Sequence, residues 1–155
     1  MPDIGIAGGL DLPVLVAAPA GNALARRGVM LAAIAAGLVG GWWLTDHAAV
    51  AAAEPEYVRL MRGMAGIKAM AGLGVVAALW WRLKAAVGPV RLAAYALGCA
   101  AMAAGPVLIW DIGWIKLGAL LLHAGLFGTV VVLWRDPAMG PLLEAAMRRR
   151  KTSFL

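Results

Sequence analysis

The chain is poor in most things a soluble domain needs. Only 14% of its 155 residues are charged, against about 25% in soluble domains. Too little polar surface is available to cover a water-exposed globule of this size, and a bilayer removes that requirement. Cysteine occurs once, at Cys99. That excludes an internal disulfide and says nothing about redox compartment. Histidine occurs twice, and acids number eight. No Ser/His/Asp set and no HExxH motif can be assembled from them, and "GLGV" lies inside an apolar run, so it is no phosphate loop. The net charge of +6 does not imply nucleic acid. The bases flank apolar blocks instead of forming a stripe on a surface.

What is abundant is apolar sequence, 63% of the chain. Four blocks stand out, at about 28–45, 63–81, 91–110 and 113–134. Each approaches the ~20 residues that cross ~30 Å of hydrocarbon as a helix. Barrel strands would alternate in polarity, and these blocks do not. Tryptophan marks the block ends: Trp42, Trp43, Trp80, Trp81, Trp110, Trp114 and Trp134. An indole ring suits the headgroup level, apolar on one side and wet on the other. The expected fold is an all-α integral membrane protein, a bundle of four transmembrane helices. Residues 1–25 are expected to form an irregular tail and 137–155 a basic tail. Within the latter, "PLLEAAMRRRK" suits a short amphipathic helix.

Orientation follows from lysine and arginine in short loops. Arg26, Arg27, Arg82, Lys84, Arg91, Arg135 and the run Arg148 to Lys151 fall on one side of a four-span chain. Asp46, Glu54, Glu56 and Asp111 fall on the other, with Arg59 and Arg62. Both termini are then cytoplasmic, in a bacterial-type inner membrane. A competing reading takes "ARRGVML" as the start of an export signal cleaved after Ala53. Its apolar region exceeds the usual 7–15 residues of a signal and ends in Trp42-Trp43.

Spans associate in lipid through close backbone approach at small residues. The expected contact stripes are Ala33, Ala36, Gly37, Gly40 and Gly41 in the first span and Gly63, Gly66, Gly74 and Ala77, around Met70, in the second. They are Ala94, Gly98, Ala101 and Gly105 in the third, and Gly118 and Gly125 in the fourth. Pro106 is expected to kink the third span.

Three ionisable residues interrupt the spans. Lys116 lies two residues from Trp114 and can snorkel. Lys68 is about six residues deep and can reach the same headgroups. His123 cannot: it is nine residues from Trp114 and eleven from Trp134. An imidazole at mid-membrane needs a partner and is a site candidate by default. Met70, Met102 and Cys99 fall at similar depth. With His123, Cys99 and Met102 would be a soft copper(I) set. Alternatively, His123 would be one axial ligand of a haem, with Met102 or Met70 opposite. Methionine also fills gaps in cores, which explains the same residues without a cofactor. In its "K…LLL" run alone the fourth span resembles spans of bacterial copper-resistance and haem-pathway membrane proteins; no family follows from so short a stretch. Three functions stay open: an accessory or homo-oligomerising subunit of a membrane complex, a redox or metal-handling protein, and a small transporter with Lys68 and His123 on its path.

Overall fold

The computed structural model describes residues 22–45, 47–141 and 144. Most of both expected tails lies outside these residues, as does most of the short helix expected from Pro141 onward. The described residues include five helices, α1 (Ala23–Trp43), α2 (His47–Ala52), α3 (Pro55–Arg82), α4 (Pro89–Trp110) and α5 (Ile115–Trp134), and residues 139–141 and 144 are helical as well. Among the described residues there is no strand, and α1, α3, α4 and α5 are each long and apolar enough to cross a membrane. The chain is therefore an all-helical, multi-pass membrane protein.

The helix starts follow local chemistry. Asn22 caps α1, its side chain accepting from the Leu24 amide at 3.1 Å. α3 and α4 each begin with proline, Pro55 and Pro89, where the missing N–H costs nothing. α3 is longer than the apolar pattern implies. Its 28 residues span roughly 42 Å, so its first two turns, "PEYVRLMR", run on beyond a ~30 Å hydrocarbon layer. Those turns and α2 occupy most of what reads as a loop at 46–62, because polar residues at a membrane surface are free to stay helical. α4 runs unbroken through Pro106.

α4 is the central helix, packed against α1, α3 and α5. Glycine sets how closely. Against α5, a Cβ placed on Gly105 would lie 2.7 Å from the Gly118 carbonyl oxygen, and one on Gly118 would lie 2.7 Å from that of Gly105. Gly125 stands 2.7 Å from the Gly98 carbonyl on the same terms. The glycines are seven apart on both helices and pair in opposite order, so α4 and α5 are antiparallel, with backbones in direct contact. Against α1, a Cβ on Gly37 would strike the Ala100 carbonyl, and one on Gly41 would sit 3.2 Å from that of Ala104. Both pairs rise together, so α1 and α4 run parallel. The stripes expected on α1, α4 and α5 thus hold at Gly37, Gly41, Gly98, Gly105, Gly118 and Gly125, while Gly40 and Ala36, also expected on α1, are exposed and Gly40 meets open space.

The stripe expected on α3 does not hold. Gly63, Gly66 and Gly74 have open space where a Cβ would stand, and Met70 is 73% exposed. α3 instead buries Ala65, Gly72 and Leu79, spaced by seven, with Arg82 below them. These bring a larger apolar area to α4 than the glycines would, and Met70 falls about 200° round the helix from Gly72. Met30, Leu79, Leu83, Tyr95, Cys99, Met102, Leu122 and Leu133 form the core.

Candidate functional site

The sequence-derived candidates separate into two groups. Cys99 and Met102 are buried side by side on α4 and line a cavity of about 260 Å³ between α1 and α3. His123 and Met70 both point outward, on different helices. The inward face of α5 is Gly118, Leu122, Gly125, Thr129 and Leu133; His123, five residues after Gly118 and two before Gly125, is turned away from it. Its expected hydrogen bond to a neighbouring helix is replaced by one on its own. Nδ1 lies 2.7 Å from the Ala119 carbonyl oxygen, which can only accept, so Nδ1 carries a proton, and in the neutral ring the lone pair is on Nε2. The ring stacks on Phe127 with centroids 6.1 Å apart. Within one chain the structure therefore does not gather His123 with Met70, or with the Cys99–Met102 pair. Lys116 is exposed near the start of α5 and Lys68 is half-buried on α3.

The densest polar cluster is one the sequence reading missed. Asp136, just past the end of α5, is buried. Its Oδ2 accepts from Arg82 Nε at 2.8 Å and from the Tyr95 hydroxyl at 2.9 Å, and pairs with Arg82 Nη2 at 2.7 Å. Its Oδ1 accepts from the Ala138 amide at 3.1 Å and faces Arg91 Nη1 at 3.8 Å. Arg82 spends its remaining donors on the Ala85 and Ala86 carbonyls. One carboxylate so ties the end of α3, the start of α4 and the end of α5. Burial by itself pushes the Asp136 carboxyl up. The Ala138 amide, the Tyr95 hydroxyl and the Arg82 guanidinium together outweigh it and hold the group below the usual carboxylate range.

α1 joins the same end of the molecule. Arg26, also buried, donates from Nε to the Leu83 carbonyl at 3.3 Å. Arg27 donates to the Trp80 carbonyl at 3.3 Å and lies 4.6 Å over the Trp80 ring. Asp136 and Arg82 spend their donors and acceptors on other protein groups, so their cluster is a clamp, while the buried Nε of Arg27 beside it has no hydrogen-bond partner. A signal for it exists: Asp136 is an acid among bases, directly before Pro137.

The opposite end, marked by Trp110, is looser. Arg62 lies 5.3 Å over the Trp110 ring, and its buried Nε has no hydrogen-bond partner. Asp111, at the start of the α4–α5 turn, is buried. That turn holds Ile112 at φ 65°, a left-handed conformation that a β-branched side chain rarely adopts. Among the described residues no group of three or more His, Cys, Asp or Glu is placed to hold a metal. Compared with known proteins, the chain matches no family model, no curated protein and no solved structure.

Proposed function

We propose that this chain is a non-enzymatic, multi-pass subunit of a bacterial-type inner membrane, with both termini cytoplasmic, that packs against further helices of its own copies or of a larger complex. One observation carries the reading. Gly63 and Gly74 lie on an outward face of α3 with Met70 between them and nothing within 4 Å. Glycine in a helix interior costs about 0.5–1 kcal/mol relative to alanine. In lipid the usual return is close approach by another helix. The six contact glycines of α1, α4 and α5, and Gly72 of α3, have that return within the chain; Gly63 and Gly74 do not. A second helix laid on this face supplies it.

The test is the mass of the full chain in mild detergent and in native membranes, for the natural protein and for Gly63→Leu/Gly74→Leu. The natural chain should run as an oligomer or within a larger complex. The variant should run as a monomer with unchanged helical content. A natural chain that is monomeric in both media, or a variant that assembles normally, would overturn the reading. Reporter fusions at Ala52 and Leu155 test the orientation and should report opposite compartments.

A second reading, haem or copper handling, rests on the Nε2 lone pair of His123. Since that nitrogen faces outward, a bound metal would lie between chains, and it would be seen as a visible absorbance or a stoichiometric metal content in the purified oligomer. Transport receives less support, because the cavity at this depth is lined by apolar side chains.

A further inference from the structure

α1 and α3 lie on α4 and are stitched together at the Arg82 end. Arg26 bonds to the Leu83 carbonyl and Arg27 to the Trp80 carbonyl, with Met30, Leu79 and Leu83 packed in the core beside them. Toward the Trp110 end a groove separates the two helices, with α4 as its floor. Its deeper part, about 260 Å³, has Ile34 on one wall, Gly72 and Val76 on the other, and Cys99 and Met102 at the bottom. Its upper part, about 250 Å³, is lined by Trp42, Ala65, Trp110 and Asp111. Ala69, Pro106 and Val107 line both parts, so the groove is continuous.

Its dimensions discriminate between occupants. From Trp110 to Cys99 is eleven residues of α4, roughly 16 Å. Half of a ~30 Å hydrocarbon layer is ~15 Å. The groove therefore starts at headgroup level and stops near the midplane, beyond which Met30, Leu79 and Leu83 pack into the core and α1 and α3 come together. A spanning helix, ~10–12 Å across with its side chains, needs a groove through both leaflets. An acyl chain needs one leaflet and conforms to uneven apolar walls.

The mouth carries complementary charge. Arg62 lies over Trp110, which lines the upper groove, and its buried Nε lacks a partner. Arg59 and Arg62 together line a separate hollow between α2 and the start of α3. Guanidinium groups at headgroup level suit a phosphate, which takes paired N–H donors. We propose that the groove between α1 and α3 binds one phospholipid from the leaflet on the Trp110 side, with an acyl chain in the groove and its phosphate on Arg62.

The experiment is native mass spectrometry of the full chain in mild detergent, titrated with phosphatidylglycerol, phosphatidylethanolamine and a diacylglycerol with the same chains. The natural protein should hold one phospholipid per chain, about tenfold more tightly than diacylglycerol, as one charge-assisted contact implies. Arg62→Gln should bring phospholipid affinity down to that of diacylglycerol. Ala103→Phe, which fills the groove, should abolish retention of both. Ala69→Leu does the same with a smaller intrusion and serves if Ala103→Phe loses helical content. The proposal is overturned if phospholipid binds no more tightly than diacylglycerol, if both groove-filling variants retain lipid, or if those variants instead dissociate a dimer in which no lipid is bound.

Discussion

The two ends of this molecule are held by different physics. At the Arg82 end four helices meet through buried charge: one aspartate, two arginines and a tyrosine, with nearly every donor and acceptor used. At the Trp110 end α1 and α3 stand apart over an apolar groove, and the cation there rests on a ring instead of a carboxylate. Lipid offers helices no hydrophobic reason to associate. Where the contacts are polar and saturated the helices are locked together. Among the described residues no such bond joins α1 to α3 at the other end and a gap persists, although glycine holds α1 and α5 close to α4 there.

The largest effect should come from breaking the lock on one side only. Arg82→Met leaves the Asp136 carboxylate buried without its main partner and should cost about 3–5 kcal/mol, measured by thermal or denaturant unfolding in detergent. Arg82→Met/Asp136→Leu should recover most of that loss. A double variant as unstable as the single one would show that the helices need the pair itself. The loose end supplies the contrast: Arg62→Met removes a cation–π contact worth only about 0.5–1 kcal/mol. The same lock predicts an acid response. The folded Asp136 carboxyl lies below its ordinary value, so its contribution is complete above the unfolded pKa of about 3.9 and is lost as pH falls through the lower folded value. Unfolding midpoints should therefore drop on acidification below about pH 4, and Asp136→Leu in the Arg82→Met background should remove that part of the drop.

Next in size is the close packing that links the two ends. Gly105→Leu drives a side chain into the Gly118 backbone and should cost about 1–3 kcal/mol. Gly74→Leu meets open space and should gain up to about 0.5–1 kcal/mol for the isolated chain, whatever it does to assembly. Equal losses would place α3's glycines inside the molecule and undo the contrast between its two faces.

The smallest change expected is a gain, at the loose end. Ile112 at φ 65° stores strain that glycine would relieve. Ile112→Gly should raise stability by up to about 1 kcal/mol, seen as a higher unfolding midpoint. A lower midpoint would mean that the Ile112 side chain contributes packing worth more than the strain.

Much of the architecture was legible without coordinates, for a plain reason. A run of ~20 apolar residues has one stable form in lipid, so the four spans and most of their ends could be read directly. Gly98 and Gly105, and Gly118 and Gly125, were legible as contact stripes because each pair is seven apart on one helix; that the two stripes meet each other was not. The α3 stripe misled, because a row of glycines shows that a helix can be approached and not which helix approaches it. His123 misled in the same way: its depth follows from counting, but its direction follows from which face of α5 meets α4. Asp136 escaped notice because the charge bias of that end reads as topology, and a lone acid among bases has no periodicity to flag it.

By itself, then, the sequence determined the solvent, the number of crossings, their depth and the residues at which backbones can touch. These depend on local hydropathy and on the absence of a side chain, both properties of single segments. Only the tertiary structure decided that α4 is central, that Met70 and His123 face outward, that Arg82 and Asp136, 54 positions apart, share a buried bond, and that α1 and α3 part to leave a groove one leaflet deep. Those outcomes depend on the rotation of each helix about its own axis. That rotation is set by competition among several nearly equivalent apolar faces, which no segment can settle alone.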